Sequence, residues 1–193
     1  MRVSYKSCVT NLSGSISGLM LAASTGFATP GFAEEITVCS AGCQYTTIQD
    51  AIDNASPNDV IRLSAETYQP ADTIDTRGME IKIIGTPDNN GDGFPDTVLD
   101  GNGERVIIAC SSGETDKTVF ENLLLQNGEN MSDGNGGAMA ITNASSPTIV
   151  SCIFRNNNAA YGAGIYAERG CNPRIESCRF LANTATQYGG GMY

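Results

Sequence analysis

Apolar and polar positions alternate along most of this chain in short bursts rather than in long amphipathic arcs. The runs Asp59-Val-Ile-Arg-Leu63, Glu66-Thr-Tyr68, Ile81-Lys-Ile-Ile84, Thr97-Val-Leu99, Val106-Ile-Ile108, Val119-Phe120, Thr148-Ile-Val150 and Cys152-Ile-Phe154 are rich in β-branched and aromatic residues. Clusters of Asn, Gly, Asp and Ser separate them, and those residues suit tight turns with positive φ. The pattern predicts short strands joined by turns. Thr46–Ala55 departs from it, because Ile48, Ala51, Ile52 and Ala55 recur at helical spacing. There Thr46 and Gln49 are set as a capping box, and Ser56-Pro57 ends the element. A helix this short needs a surface to cover, and the open end of a first coil is the expected one.

Two stretches near the C-terminus repeat each other. Pro147-Thr-Ile-Val-Ser-Cys-Ile-Phe154-Arg-Asn-Asn157 and Pro173-Arg-Ile-Glu-Ser-Cys-Arg-Phe180-Leu-Ala-Asn183 share Pro, Ile, Ser, Cys, Phe and Asn at a spacing of 26 residues. A period in this range signals a stacked solenoid, and the lack of long Ala/Leu/Glu/Lys segments excludes the helical kinds. One set of short strands per period describes a parallel β-helix. Stacking then places Cys152 over Cys178, Phe154 over Phe180 and Asn157 over Asn183, about 4.8 Å apart. Thiols and rings would fill the interior as buried columns, and the Asn side chains would form a hydrogen-bonded ladder. A weaker copy, Thr118–Asn127, aligns at a spacing of 30, with Asn122 at the Cys position, Leu124 at the Phe position and a polar loop from Glu129 to Asn135.

These residues resemble right-handed β-helix proteins, in particular the repeats of polymorphic outer-membrane proteins. Phe154 to Asn157 and Phe180 to Asn183 match their Phe-x-x-Asn signature. Gly136-Gly-Ala-Met139 and Gly189-Gly-Gly-Met192 approach their Gly-Gly-Ala-Ile signature, and Gly162-Ala-Gly-Ile165 departs more. The stretch Tyr45-Thr-Thr-Ile-Gln-Asp-Ala-Ile, followed by Asp59–Leu63 and Glu66–Tyr68, is similar to the opening segment of pectate-lyase-like and pectin-methylesterase-like β-helices. The expected fold is all-β: a right-handed parallel β-helix solenoid with a short N-terminal capping α-helix. Its parts are a signal peptide at 1–33, a cap at 34–58 and coils at 59–193. The chain stops inside the turn ending at Tyr193, so this reading expects a solenoid that continues further, with a membrane anchor downstream as one outcome.

Arg2 and Lys6 before Ile16-Ser-Gly-Leu-Met-Leu-Ala-Ala23, with Gly31-Phe-Ala33 as a cleavage site, read as a secretory signal. The mature chain then carries no transmembrane helix, and a secreted or cell-surface location is expected. Removing residues 1–33 leaves nine basic against 21 acidic residues, a net charge of −12. Nucleic acid is excluded as a partner, and a polyanion would need a bridging cation. Polysaccharide or other cell-envelope components remain as candidate partners. Cys39-Ser-Ala-Gly-Cys43 is spaced to close a small disulfide loop, whereas Cys110 and Cys171 are free to pair or not.

The most pointed chemical motif is Asp88-Asn-Asn-Gly-Asp-Gly-Phe-Pro-Asp96. Asp88, Asn90, Asp92, the Phe94 carbonyl and Asp96 fall at positions 1, 3, 5, 7 and 9 of a calcium-loop ligand series, although Leu99 stands at the twelfth. The alternative is a polar turn, which favours the same residue types. Enzyme chemistry finds less support. The chain has no His, which removes a polygalacturonase-like Gly-His-Gly motif, and no methylesterase-like Gln-Asp signature follows the Tyr45–Ile52 segment. A lyase-like site would need an Arg or Lys beside an Asp cluster. Arg155, Arg169, Arg174 and Arg179 show no such flank in sequence, Arg155 and Arg179 read as solvated strand faces, and Asp72, Asp75 and Asp100 read as turn residues. No residue is assigned a catalytic role. The expected function is a non-enzymatic surface or adhesion scaffold, with a polysaccharide-active enzyme of the pectate-lyase-like group as the alternative.

Overall fold

The computed structural model describes residues 33–130 and 134–193; the signal-peptide reading therefore lies, apart from Ala33, outside the described residues. In chain order the elements are β1 (Glu35–Val38), α1 (Ile48–Asn54), β2 (Val60–Leu63), β3 (Thr67–Tyr68), β4 (Ile74–Asp75), β5 (Lys82–Ile84), β6 (Val98–Asp100), β7 (Ile108–Cys110), β8 (Val119–Glu121), β9 (Leu124–Gln126), β10 (Met139–Ile141), β11 (Thr148–Val150), β12 (Ile153–Arg155), β13 (Asn158–Tyr161), β14 (Ile165–Ala167), β15 (Arg174–Glu176), β16 (Arg179–Leu181) and β17 (Thr184–Tyr188). Each strand pairs in parallel with its counterpart one coil away. Sheet A runs β1-β2-β5-β8-β11-β15, sheet B runs β3-β6-β9-β12-β16, and sheet C runs β4-β7-β10-β14. Coils 1 to 5 begin at β2, β5, β8, β11 and β15. The strand expected at Val106–Ile108 begins two residues later, at Ile108, because Ile107 and Ile108 are both buried at the corner before sheet C.

The core follows from alternation. In sheet A, Ile36, Ile61, Ile83, Phe120, Ile149 and Ile175 are successive register partners in one inward column. In sheet B the column is Tyr68, Leu99, Leu125, Phe154 and Phe180. Most of these side chains are fully buried, and each aliphatic one withdrawn from water contributes about 1.5–3 kcal/mol.

Helix α1 buries Ile48, Ala51 and Ile52 against this core, but its cap differs from the expected one. Thr47, not Thr46, is the N-cap. Its hydroxyl accepts from the Asp50 N–H at 3.1 Å and donates to the Asp50 carboxylate at 2.6 Å. Gln49 reaches β4 instead, where its amide donates to the Asp75 carbonyl at 3.1 Å and accepts from the Asp75 N–H at 3.0 Å. A side chain thus takes the place of a neighbouring strand on β4, satisfying an edge that would otherwise be open. Cys39 and Cys43 form a disulfide with a Cα–Cα distance of 5.5 Å.

Between sheets A and B, coils 3, 4 and 5 turn on one left-handed residue each: Asn122, Ser151 and Ser177, with φ of 54°, 52° and 53°. These equivalences correct the alignment of coil 3. The spacing is 29 residues, from Val119 to Thr148, so Leu123 holds the Cys position and Leu125 the Phe position. Asn122 belongs with Ser151, as a turn residue.

Candidate functional site on the outer face of sheet B

Sheet B exposes two outward columns. Val98, Leu124, Ile153 and Arg179 form one; Asp100, Gln126, Arg155 and Leu181 form the other. Leu124 and Ile153 are nonetheless only 2% and 5% exposed. Residues 85–97, inserted at the A-to-B corner of coil 2, fold over them, with Phe94 and Pro95 walling clefts against Leu124 and Ile153.

This loop is built from side-chain turns. The Asp88 carboxylate accepts from the N–H groups of Gly91 at 2.6 Å and Gly93 at 2.9 Å; Asn90 accepts from the Asp92 N–H, and Asp92 from the Phe94 N–H. Asp96 accepts from the Asn90 amide at 2.8 Å. Among the described residues, no three Asp, Glu, Cys or His side chains are gathered as a metal cluster, so calcium bound here would have to replace some of these bonds.

The loop is also held from a distance. Arg179 donates to the Gly93 carbonyl at 2.8 Å, and the guanidinium groups of Arg155 and Arg179 lie 4.7 and 5.6 Å from the centre of the Phe94 ring. Coils 4 and 5 thus reach back to clasp a segment of coil 2 through cation–π contacts. Arg155 also donates to Gln126 Oε1, and Gln126 Nε2 donates to Asp100 at 2.8 Å. Asn127 Nδ2 and the Asn102 N–H complete the donors to Asp100. Both therefore hold the loop: Arg179 does so from an exposed strand face, as expected, whereas Arg155 is part-buried rather than solvated. Asp100 closes β6 with a side-chain turn, as expected, and is also the end of this polar row. Folding also supplies the flank that sequence lacked: Arg155 lines a cleft of about 430 Å³ with Asn90, Asp92 and Asp96. A second cleft of about 390 Å³ continues the polar strip along Asp100, Asn102, Asn127, Glu129, Asn156 and Asn158, with Asn158 donating to Glu129 at 3.0 Å.

The family model described as right handed beta helix region matches residues 99–193. The chain is a right-handed β-helix. No curated protein and no solved structure matches it significantly.

Inside the β-helix, the repeated residues meet in columns. The Phe154 and Phe180 rings stack with centroids 4.9 Å apart and 10° between planes. Asn157 Nδ2 donates to Asn183 Oδ1 at 2.8 Å and to the Leu125 carbonyl at 3.2 Å, and Asn183 Nδ2 donates to the Phe154 carbonyl at 2.9 Å. Cys152 is buried, but Cys178 is only partly so, since coil 5 has a described neighbouring coil on one side. Cys110 and Cys171 are both free thiols.

One buried group had no signature in the sequence. Glu114 is 1% exposed at the corner leading back to sheet A. Its carboxylate accepts from the Thr76 hydroxyl and Gly78 N–H, each at 2.8 Å, the Ser112 N–H at 3.0 Å and the Ser145 hydroxyl at 2.7 Å. Burial pushes its carboxyl up, but the bonds from Ser145, Ser112 and Thr76 outweigh it and hold it below the usual carboxylate range. An isolated Glu in a Ser/Gly-rich turn looks solvated until neighbouring coils supply the donors.

Proposed function

We propose that this β-helix is an exported, non-catalytic scaffold that binds polysaccharide along the outer face of sheet B. The observation that carries the reading is the polar row Asp100–Gln126–Arg155, continued by Asn127, Asn156 and Asn158. Successive coils offer hydrogen-bonding groups about 4.8 Å apart along one axis, which suits an extended polymer with repeated hydroxyls. Asp100 and Glu129 are both engaged by side-chain amides, which fits recognition better than proton transfer. The acidic balance of the chain favours neutral glycans over polyanions. Export rests on the basic and apolar pattern of residues 1–33 together with the Cys39–Cys43 disulfide.

Retention on insoluble neutral polysaccharides tests this, with Gln126→Ala expected to weaken retention at least tenfold and Arg174→Ala, on sheet A, to leave it unchanged. Release of reducing or unsaturated sugars from a polysaccharide in the presence of Ca²⁺ would overturn the scaffold reading. It would favour instead a lyase-like enzyme, for which the cleft that Arg155 lines together with Asp92 and Asp96 is the supporting observation. Calcium at Asp88, Asn90, Asp92, Phe94 and Asp96 would stiffen the loop in either case, and thermal midpoints that match with Ca²⁺ and with chelator reject it.

A further inference from the structure

Cys152 and Cys178 occupy the same place in consecutive coils. Their neighbours on either side, Val150 with Glu176 and Ile153 with Arg179, are register partners. Partners in adjacent parallel strands lie about 4.8 Å apart, inside the roughly 4.4–6.8 Å Cα range over which a disulfide can close. Both side chains turn the same way. Cys152 Sγ lies 3.3 Å from the Val150 carbonyl and Cys178 Sγ 3.3 Å from the Glu176 carbonyl, each two residues back. In coil 3 the same position is Leu123, so within this column sulfur meets sulfur between coils 4 and 5 and not between coils 3 and 4. The chain already carries one disulfide, Cys39–Cys43.

We propose that Cys152 and Cys178 form a dithiol–disulfide site that low-molecular-weight disulfides oxidise, locking coil 4 to coil 5. Cys178, the partly exposed member, is the point of attack. The neighbouring Cys152 thiol lowers the Cys178 thiol to about 7, whereas burial pushes the Cys152 thiol up. A thiolate titrating near ambient pH is the better nucleophile for this exchange. Cys178 Sγ attacks one sulfur of the small disulfide, forming a mixed disulfide and releasing one small thiolate, which takes up the Cys178 proton. Cys152 Sγ then attacks Cys178 Sγ, expelling the second small thiol together with the proton Cys152 gives up. The protein pair is oxidised by two electrons and the small disulfide is reduced to two thiols. Cys110 is buried beside the Thr76 hydroxyl, 3.9 Å away, and takes no part.

The test uses the unaltered full chain, incubated with oxidised glutathione, quenched in acid, alkylated and digested with trypsin without reductant. Cleavage after Lys117, Arg155, Arg169, Arg174 and Arg179 puts Cys110, Cys152, Cys171 and Cys178 on separate peptides. The expected product is peptide 118–155 joined to 175–179, with both thiols lost to alkylation. In Cys152→Ser the reaction should stop at glutathione on residue 178. The proposal is overturned if wild-type Cys178 keeps glutathione while Cys152 stays alkylatable, if either cysteine is found joined to Cys110 or Cys171, or if both remain free.

Discussion

Two corners of the same kind meet different fates in this molecule. Between sheets A and B, coil 4 turns on Ser151 and Cys152, whereas coil 2 uses residues 85–97 for the same passage. The strands on either side stay in register regardless: Ile84 pairs with Glu121 before the insertion and Val98 with Leu124 after it. Closure entropy grows slowly with loop length, so an insertion is tolerated wherever the flanking strands keep their partners. The short corner therefore answers to the stack, which it keeps in phase. The long corner answers to the outer surface, where Arg155 and Arg179 hold it down. Substitutions that affect these two duties separately test the distinction.

The largest effect is expected just behind the short corner. Phe154 is fully buried, stacked on Phe180 and placed over Leu125. Phe154→Ala should lower the unfolding free energy by about 3–5 kcal/mol in urea titration. A loss below about 1 kcal/mol would mean that the coils are not packed as one continuous core.

Much of this regular part was legible in the sequence, for a physical reason. In a stack, each inward residue faces its own counterpart, so a periodic pattern of Ile, Cys, Phe and Asn states its own contacts. The slips came where one residue type serves two roles. Asn can form a ladder or adopt a left-handed turn, which put Asn122 one place out of line; Thr46 and Thr47 are equally good caps until the chain direction decides. The Asp88–Asp96 spacing could not discriminate either, because side-chain turns and calcium ligation select the same residues. Arg155, Arg179 and Glu114 were not legible at all, since their partners lie on other coils: Gly93 is 86 residues from Arg179.

A third corner, from sheet C back to sheet A, sharpens the comparison, because a buried carboxylate rather than a turn residue or a loop holds it. Glu114→Gln leaves an amide facing the Ser112 N–H and should cost about 1–3 kcal/mol at neutral pH. The pH dependence has a definite sign. The folded Glu114 carboxyl titrates below the ordinary value of about 4.3, so its stabilisation is present above that value and fades as pH falls through the folded one. The gap between wild type and Glu114→Gln should accordingly narrow in acid. A gap independent of pH would show that the carboxylate contributes by shape alone.

The smallest effect on global stability is expected at the long corner itself. Phe94→Ala removes the ring that both guanidinium groups face, a loss of about 1 kcal/mol or less, while the strands beneath keep their register. Local opening is another matter. Without Phe94, the hold of Arg155 and Arg179 on the loop weakens, and a protease that cuts beside Asp should cleave within 88–96 at least several-fold faster than in wild type. Arg174→Ala, which removes only the exposed pair with Glu176 on sheet A, serves as the control and should leave that rate unchanged. If Phe94→Ala instead unfolds the whole chain cooperatively, the loop is part of the stack's own stability, and the division between the two corners fails.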